Sequence, residues 1–532
     1  MRRIRVWAIF LLAFKLLYVN CSTTCPLACL CHTLNGKKQV RCEAGGTTLS
    51  QKFISNSDRD IAVLFISGSK DNLNTFNLST AIFQSTSFEE VHLSFSSLNY
   101  LPDSIFSPVS NTLRVLNLSS NNFQDIQKEV FLGLSRLTHL HLDGNILTSL
   151  TLSAFSYLSS LKVLTLSSNL ISDVIQENAP LDNLEFLDLS FNLIGDPVGP
   201  QSTLSQIFFT NMPMLTVLNL TSNNVRSLPW EALDRHNRQL SELYLGYNKL
   251  QTIQPYQLSV LHSLKRVSLR GNPLRFISDE AFRGLHLDFL DLSGLPASVL
   301  DADLFVGARI KELDVSNMKL HAFRQETFRP IAANLQALNV SENRGLRVHS
   351  GMFRQFTSLK RLFMTHMPTS TLPPILGDNH NVIEELHLSH NGLVHLPDGL
   401  FPSLPNLRRL NLSHNRLQRV PHLAELKEIR EIDLSGNRLA FLSEETIKAF
   451  SQSTSLLRSL KLTENPWDCD CKRVAPLRRW VSLGFDSFGR ETVCMDAEGK
   501  INCPVCSLPA SLRGTPINNI SADALSSCDS DL

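Results

Sequence analysis

The chain has 532 residues, with 50 basic and 49 acidic side chains and a formal charge of +1. A balance this even supplies no bulk field to draw a polyanion, which argues against nucleic acid as the partner. No G-x-S-x-G, H-E-x-x-H or P-loop string occurs, so the sequence points to neither an enzyme nor a cofactor.

The first element is a targeting segment. Met1-Arg2-Arg3-Ile4-Arg5 precedes an apolar run from Val6 to Leu17, which contains Lys15 and is too short to span a bilayer. A basic start, a short apolar core and a small-residue exit predict a secretory signal peptide over 1–21, cleaved near Cys21. No other segment approaches 18 apolar residues, so no transmembrane anchor is expected, and Ser526 to Leu532 lacks the tail of a lipid-anchor signal. Eleven cysteines fall in two end clusters, and losing Cys21 leaves an even ten, as a disulfide framework in an exported chain requires. The first cluster, Cys25, Cys29, Cys31 and Cys42, occupies an expected N-terminal cap over 22–54.

From 55 to 462 a beat of about 24 residues takes over. Leu113, Leu137 and Leu161 open the strings LRVLNLSSNNF, LTHLHLDGNIL and LKVLTLSSNLI, and the pattern returns down to Leu457. In places one to nine of each unit, L-x-x-L-x-L-x-x-N, the alternation at four to six predicts a short strand with one buried face. One unit cannot bury that face alone, so neighbours must stack. Sixteen units open at Phe88, Leu113, Leu137, Leu161, Leu184, Leu215, Leu240, Leu264, Leu287, Ile310, Leu335, Leu359, Ile383, Leu407, Ile429 and Leu457, with an irregular seventeenth at Ile61. Strands stacked at roughly 4.8 Å give an inner arc of roughly 75 Å with a solvent-facing side. Second halves such as LPDSIFSPV (101–109) and ISDEAFRGL (277–285) place a buried phenylalanine on the opposite side.

Asparagine holds the ninth place in twelve units: Asn121, Asn145, Asn169, Asn192, Asn223, Asn248, Asn272, Asn343, Asn391, Asn415, Asn437 and Asn465. A buried amide there needs backbone partners. Ser96, Leu295, Met318 and Met367 break the column, and three of them predict irregular coils between 287 and 367.

Sequons stand at Asn77, Asn117, Asn219, Asn339, Asn411 and Asn519, and four of them, Asn117, Asn219, Asn339 and Asn411, share the fifth place, on the solvent-facing side. The string N-L-S is also what the repeat itself favours. Between Asn219 and Asn339 lie four units without such a sequon. They present Tyr244, Tyr247, Lys265, Arg266, Arg270, Phe289, Asp291, Glu312 and Asp314, read either as a plain solvated face or as a ligand site, since aromatic and arginine side chains are typical binding anchors. His366, His390 and His414 share the eighth place of successive units, read either as scattered surface histidines or as a pH-sensitive or metal-binding patch. The chain closes with NPWDCDC (465–471) and cysteines 494, 503, 506 and 528, an expected cap over 463–532. Cys503-x-x-Cys506 has zinc-ligand spacing, but an oxidising compartment favours disulfides.

These strings and end clusters resemble the extracellular leucine-rich repeat superfamily, of the Toll-like or Slit-like ectodomain type. The resemblance runs from Cys25 to Cys528. It implies an α/β fold: a right-handed solenoid, or horseshoe, with a parallel concave β-sheet, 16–17 repeats and disulfide caps at both ends. It implies the pairs Cys25–Cys31, Cys29–Cys42, Cys469–Cys506 and Cys471–Cys528, which leaves Cys494–Cys503 as a local bridge. The ninth-place asparagine becomes a rung bonding turn backbone in adjacent coils, and the broken rungs of the middle read either as ordinary repeat drift or as a ligand entry point. The expected function is a secreted binding protein of the extracellular space or matrix, recognising a protein, glycan or lipid in adhesion, signalling or innate recognition. Two other readings are a non-catalytic subunit or inhibitor of an extracellular enzyme, and a soluble decoy of a Toll-like receptor.

Overall fold

The computed structural model describes residues 29–521, apart from 44, 46–60, 70, 75–77, 79, 85, 176–178, 196–203, 205, 376–381, 398, 421–424, 453–456, 471–472, 476 and 479–503. The expected signal peptide, Cys25, Asn77, Cys471, Cys494, Cys503 and Cys528 lie outside the described residues. The chain divides into two units, Met1–Tyr244 and Leu245–Leu532.

The first unit begins with an antiparallel hairpin, Leu30–Leu34 against Lys37–Cys42. Its two-residue turn, Asn35-Gly36, has φ of 51° and 75°, the left-handed pair that a tight hairpin turn demands. The second hairpin strand then runs parallel to Ile61–Ser67, so the irregular opening at Ile61 is a true coil. Seven more parallel strands follow: Glu90–Ser94, Val115–Asn117, His139–His141, Val163–Thr165, Phe186–Asp188, Val217–Asn219 and Glu242–Tyr244. In the second unit nine parallel strands repeat the design, from Arg266–Ser268 through His286–Asp291 and Arg309–Asp314 to Ser459–Lys461. Each unit is thus a parallel-strand β-solenoid.

The fourth-place leucine of each coil explains the stacking. Leu116, Leu140 and Leu164 in the first unit, and Leu290, Leu362 and Leu386 in the second, are 0% exposed. Each such burial is worth roughly 1.5–3 kcal/mol, available only when a neighbouring coil covers it. Phenylalanines from the second halves line the other side: Phe106, Phe131, Phe282, Phe305 and Phe353 are fully buried.

The ninth-place asparagines form the expected rungs, with a fixed grammar. Asn145 Nδ2 donates to Leu142 O of its own coil at 2.9 Å and to Leu118 O of the preceding coil at 3.1 Å. Its Oδ1 accepts from Phe123 N. Asn415 repeats this with Leu412 O, Leu388 O and Leu393 N. These six bonds are buried, so the amides stand in for water at backbone groups of the turns.

Where the rungs fail, the sheet does not become irregular. Strands His286–Asp291 and Arg309–Asp314 lengthen to six residues and stay in register, Phe289↔Glu312 and Asp291↔Asp314. Register continues through Asp314↔Asn339 and Phe363↔His387. The reason is chemical. Leu295, Met318 and Met367 are 1–2% exposed and fill the slot without polar atoms of their own to satisfy. At Met318 and Met367 the next asparagine serves the turn, Asn343 Oδ1 accepting from Met318 N and Leu320 N and Asn391 Oδ1 from Met367 N, while Leu295 N donates to Leu292 O at 3.3 Å.

The eighth place carries a feature that the period does not reveal. In all sixteen repeats from Phe88 onward its residue has φ between 48° and 70°. Six-membered rings and imidazoles as well as glycines occupy it, at a backbone cost of about 1–2 kcal/mol for an ordinary residue. The side chains of Tyr247, His366, His390 and His414 lie over the same place of the next coil.

Both ends are closed by disulfides, Cys29–Cys42 and Cys469–Cys506, as the resemblance implies. Cys31 is disulfide-bonded too. At the C-terminal end Trp467, 1% exposed, donates from Nε1 to Leu462 O at 3.0 Å and plugs the last coil.

Candidate ligand-binding face

The third and fifth places of each strand project from the open face of the sheet. In the second unit the third-place row reads Arg266, Phe289, Glu312, Ala337, Arg361, Glu385, Arg409 and Glu431, each opposite the next. Most of its charges neutralise one another. Arg361 Nη2 reaches Glu312 Oε1 at 2.7 Å, passing over the small Ala337. Arg409 pairs with Glu385 at 2.8 Å and Glu431 at 3.1 Å.

One cation of this row, Arg266, escapes the pairing, and so does Arg270 at the seventh place of the same unit. The Arg266 guanidinium lies over the Phe289 ring, 4.9 Å from its centroid, and Arg270 lies over Tyr247 at 5.5 Å. Among the described residues neither has a carboxylate within ion-pair distance. Tyr247 is an eighth-place residue, 50% exposed, and its ring rests on Gly271, where a Cβ would meet Tyr247 Cδ1 at 2.6 Å. Gly271 is therefore the floor that sets the ring for Arg270.

Beside these cations lies an acidic block in the fifth-place row. Asp291 accepts from Ser268 Oγ at 3.1 Å and from Ser293 N at 3.0 Å. Burial pushes its carboxyl above the usual carboxylate range, the Ser293 and Ser268 bonds pull it back, and the neighbouring Asp314 adds to the rise. Asp314 accepts from Ser316 N and from Asn339 Nδ2 at 2.8 Å. Lys265 Nζ donates to His286 O at 3.4 Å.

Of the nine residues expected from sequence, eight fall in the second unit. Tyr244 belongs to the first, where its hydroxyl donates to Glu242 Oε2 at 2.5 Å. Arg361 was missed; only the strand register brings it to Glu312, 49 positions away.

The fifth-place sequons have a structural job. Asn117, Asn219, Asn339 and Asn411 each accept, through Oδ1, the N–H two residues on, at 2.9–3.1 Å. Asp188, Asp291, Asp314 and Asp433 make the same bond. Asparagine and aspartate thus close the strand alike, as Asx turns do, so the fifth-place asparagine has a structural reason of its own.

The histidine column stacks face to face. His366 to His390 is 4.3 Å between ring centroids and His390 to His414 is 4.4 Å, nearly parallel in both cases, and His414 packs over Gly436. Parallel rings do not aim their nitrogens at one point, and among the described residues no group of three histidine, cysteine or carboxylate side chains gathers for a metal. Burial, then the two flanking histidines, lowers the pKa of His390.

Comparison with known proteins agrees with this architecture. A leucine rich repeat family model matches residues 86–147, 135–194, 238–294 and 382–439. Podocan of Mus musculus is 28% identical over 358 residues, covering 65% of this chain and 51% of podocan. Podocan-like protein 1 of Mus musculus is 30% identical over 374 residues, covering 65% of this chain and 64% of that protein. The chain thus spans between half and two thirds of the length of these relatives. In the mouse RP105/MD-1 complex, a solved chain aligns with a TM-score of 0.54 at 18% identity, covering 93% of this chain and 99% of that one, a likeness of fold.

Proposed function

We propose that this chain, a member of the extracellular leucine-rich repeat superfamily, is a secreted binding protein that captures a protein ligand on the open face of its second unit. The observation that carries this reading is the pair of guanidiniums, Arg266 and Arg270, held on aromatic rings without a carboxylate partner. The other arginines of Arg266's row, Arg361 and Arg409, are neutralised within the fold. A guanidinium set on a ring keeps its planar fork ready for a bidentate carboxylate. Aromatic and arginine anchors are the residues that dominate interface energies.

The acidic block narrows the ligand class. Asp291, Asp314 and Glu312 lie within two strands of Arg266, so a uniformly anionic glycan meets repulsion beside its attraction. A protein surface with separate acidic and basic side chains matches both halves. In this reading the signal over 1–21 exports the chain, the caps over 22–54 and 463–532 close its ends, and sugars at the sequons stand beside the ligand rather than under it.

The test is affinity for the partner recovered by photocrosslinking from position 289 of the secreted chain. Arg266→Ala and Phe289→Ala should each weaken binding about tenfold or more, which is about 1.4 kcal/mol. Unchanged affinity in Arg266→Ala, Arg270→Ala and Phe289→Ala together would remove this face from consideration.

A further inference from the structure

The first unit holds a pair of histidines that the proposed ligand face does not use. His139 and His141 are alternate residues of one short strand, so both project from the same face of the sheet, with ring centroids 6.5 Å apart. His141 stands opposite Thr165 on the next strand, and its Nδ1 is 2.9 Å from Thr165 Oγ1. The Thr165 hydroxyl donates to the Asp143 carboxylate, whose other oxygen accepts Ser167 N at 2.9 Å.

A hydroxyl has one hydrogen, and here it is committed to a carboxylate. Nδ1 of His141 must therefore carry the proton and donate to Thr165 Oγ1. That fixes the neutral ring in one tautomer and leaves Nε2 as its lone-pair atom. His139 repeats the arrangement: its Nδ1 lies 2.9 Å from Thr138 Oγ1, and that hydroxyl donates to the Arg114 carbonyl at 3.0 Å. Imidazoles held from behind, with the far nitrogen free, are how proteins orient metal-binding histidines.

The surroundings suit a cation. Asp143 acts on His141, and Glu90 and Glu185 on His139, as negative charges; Lys162 opposes at His139 and His92 at His141. Both rings and the Thr165–Asp143 relay are half-buried.

We propose that His139 and His141 form a two-histidine site for a divalent transition-metal ion that prefers imidazole, such as zinc or copper, with Thr165 and Asp143 as the positioning residues behind it. No third protein ligand converges on the pair among the described residues, so the remaining coordination positions are open to water or to a side chain of a bound partner. The ring centroids, 6.5 Å apart, have to close to about 5 Å for both Nε2 atoms to reach one ion at about 2.0–2.1 Å, a shift small enough to keep the Nδ1 contacts.

The experiment uses the full secreted chain, stripped with chelator and titrated with Cu²⁺ as a spectroscopic probe and Zn²⁺ by calorimetry. Copper paramagnetic resonance should show one equivalent bound by two imidazole nitrogens. His141→Ala should leave at most one of them, with a tenfold or greater loss of affinity. Thr165→Val keeps the volume but removes the relay, and should weaken binding about 10–100-fold with an unchanged circular dichroism spectrum. A variant with His366, His390 and His414 all changed to glutamine should keep the two-imidazole signal. Persistence of that signal in His139→Ala plus His141→Ala, or its loss in the triple variant, would overturn the site. Wild-type affinity in Thr165→Val would overturn the positioning role.

Discussion

Replacing Asn415 by leucine removes one rung while keeping the branching of its side chain. Asn415 is 6% exposed, and its Oδ1 accepts both Asn391 N at 3.1 Å and Leu393 N at 3.0 Å. Its Nδ2 serves Leu388 O and Leu412 O, both at 2.9 Å. Two buried N–H donors then lose their acceptor, at roughly 1–3 kcal/mol each, while the carbonyls lose less. A net local loss of roughly 2–4 kcal/mol follows after the added apolar contact. Because coils interact mainly with their neighbours, the damage stays near the coils opening at 383 and 407. A single melting temperature describes a long repeat array poorly, so the assay is hydrogen exchange read at the Asn391 and Leu393 amides. Exchange there should quicken about thirtyfold or more, at tenfold per 1.4 kcal/mol. Met367→Leu, in a coil without a rung, should cost less than about 1.5 kcal/mol. Unchanged exchange in Asn415→Leu would refute the claim that the amides hold the coils together.

Gly271→Ala should displace the Tyr247 ring, strain a left-handed turn and weaken partner binding several-fold; tyrosine fluorescence quenching by the partner checks it. The pKa of His390 is lowered in the folded chain, so protons bind the unfolded chain more readily. Stability should therefore fall as pH drops below the unfolded histidine value of about 6.5, and His390→Gln should flatten that fall, seen by comparing thermal melts at pH 5 and pH 7.5. The carboxyl of Asp291 is raised, so its contribution is favourable below the unfolded carboxylate pKa and is lost as pH rises through the folded one. Asp291→Asn, which keeps the acceptor for Ser293 N, should raise the melting temperature at pH 7 and leave it unchanged at pH 3.

Much of the architecture is legible because it repeats. The period gives the strands, including the one at Ile61–Ser67, and the ninth-place amide gives its own hydrogen bonds, since a buried asparagine has no other way to be satisfied. What the period hides is what no single unit contains. The left-handed eighth place accepts Phe191, Glu342 and His390 as readily as Gly294, so residue type does not announce it. The coils around Leu295 and Met318 look broken in the string, yet the following asparagine Asn343 serves Met318 and Leu320. Arg361 reaches Glu312 only because Ala337 between them is small. Likewise His141, Thr165 and Asp143 meet across two strands 24 positions apart, which His-x-His on a strand hints at and register alone completes.

The central claim, that the open face of the second unit takes the ligand, is tested most directly by site-specific photocrosslinking. A benzophenone side chain is placed at Phe289 on that face, or at Phe276, which is 49% exposed on a separate two-stranded sheet of the same unit. With extracellular fluid as the source of partner, the account predicts one discrete adduct from position 289, lost in Arg266→Ala, and none from position 276. Equal labelling from both positions, or an adduct from 289 that survives Arg266→Ala, would contradict it.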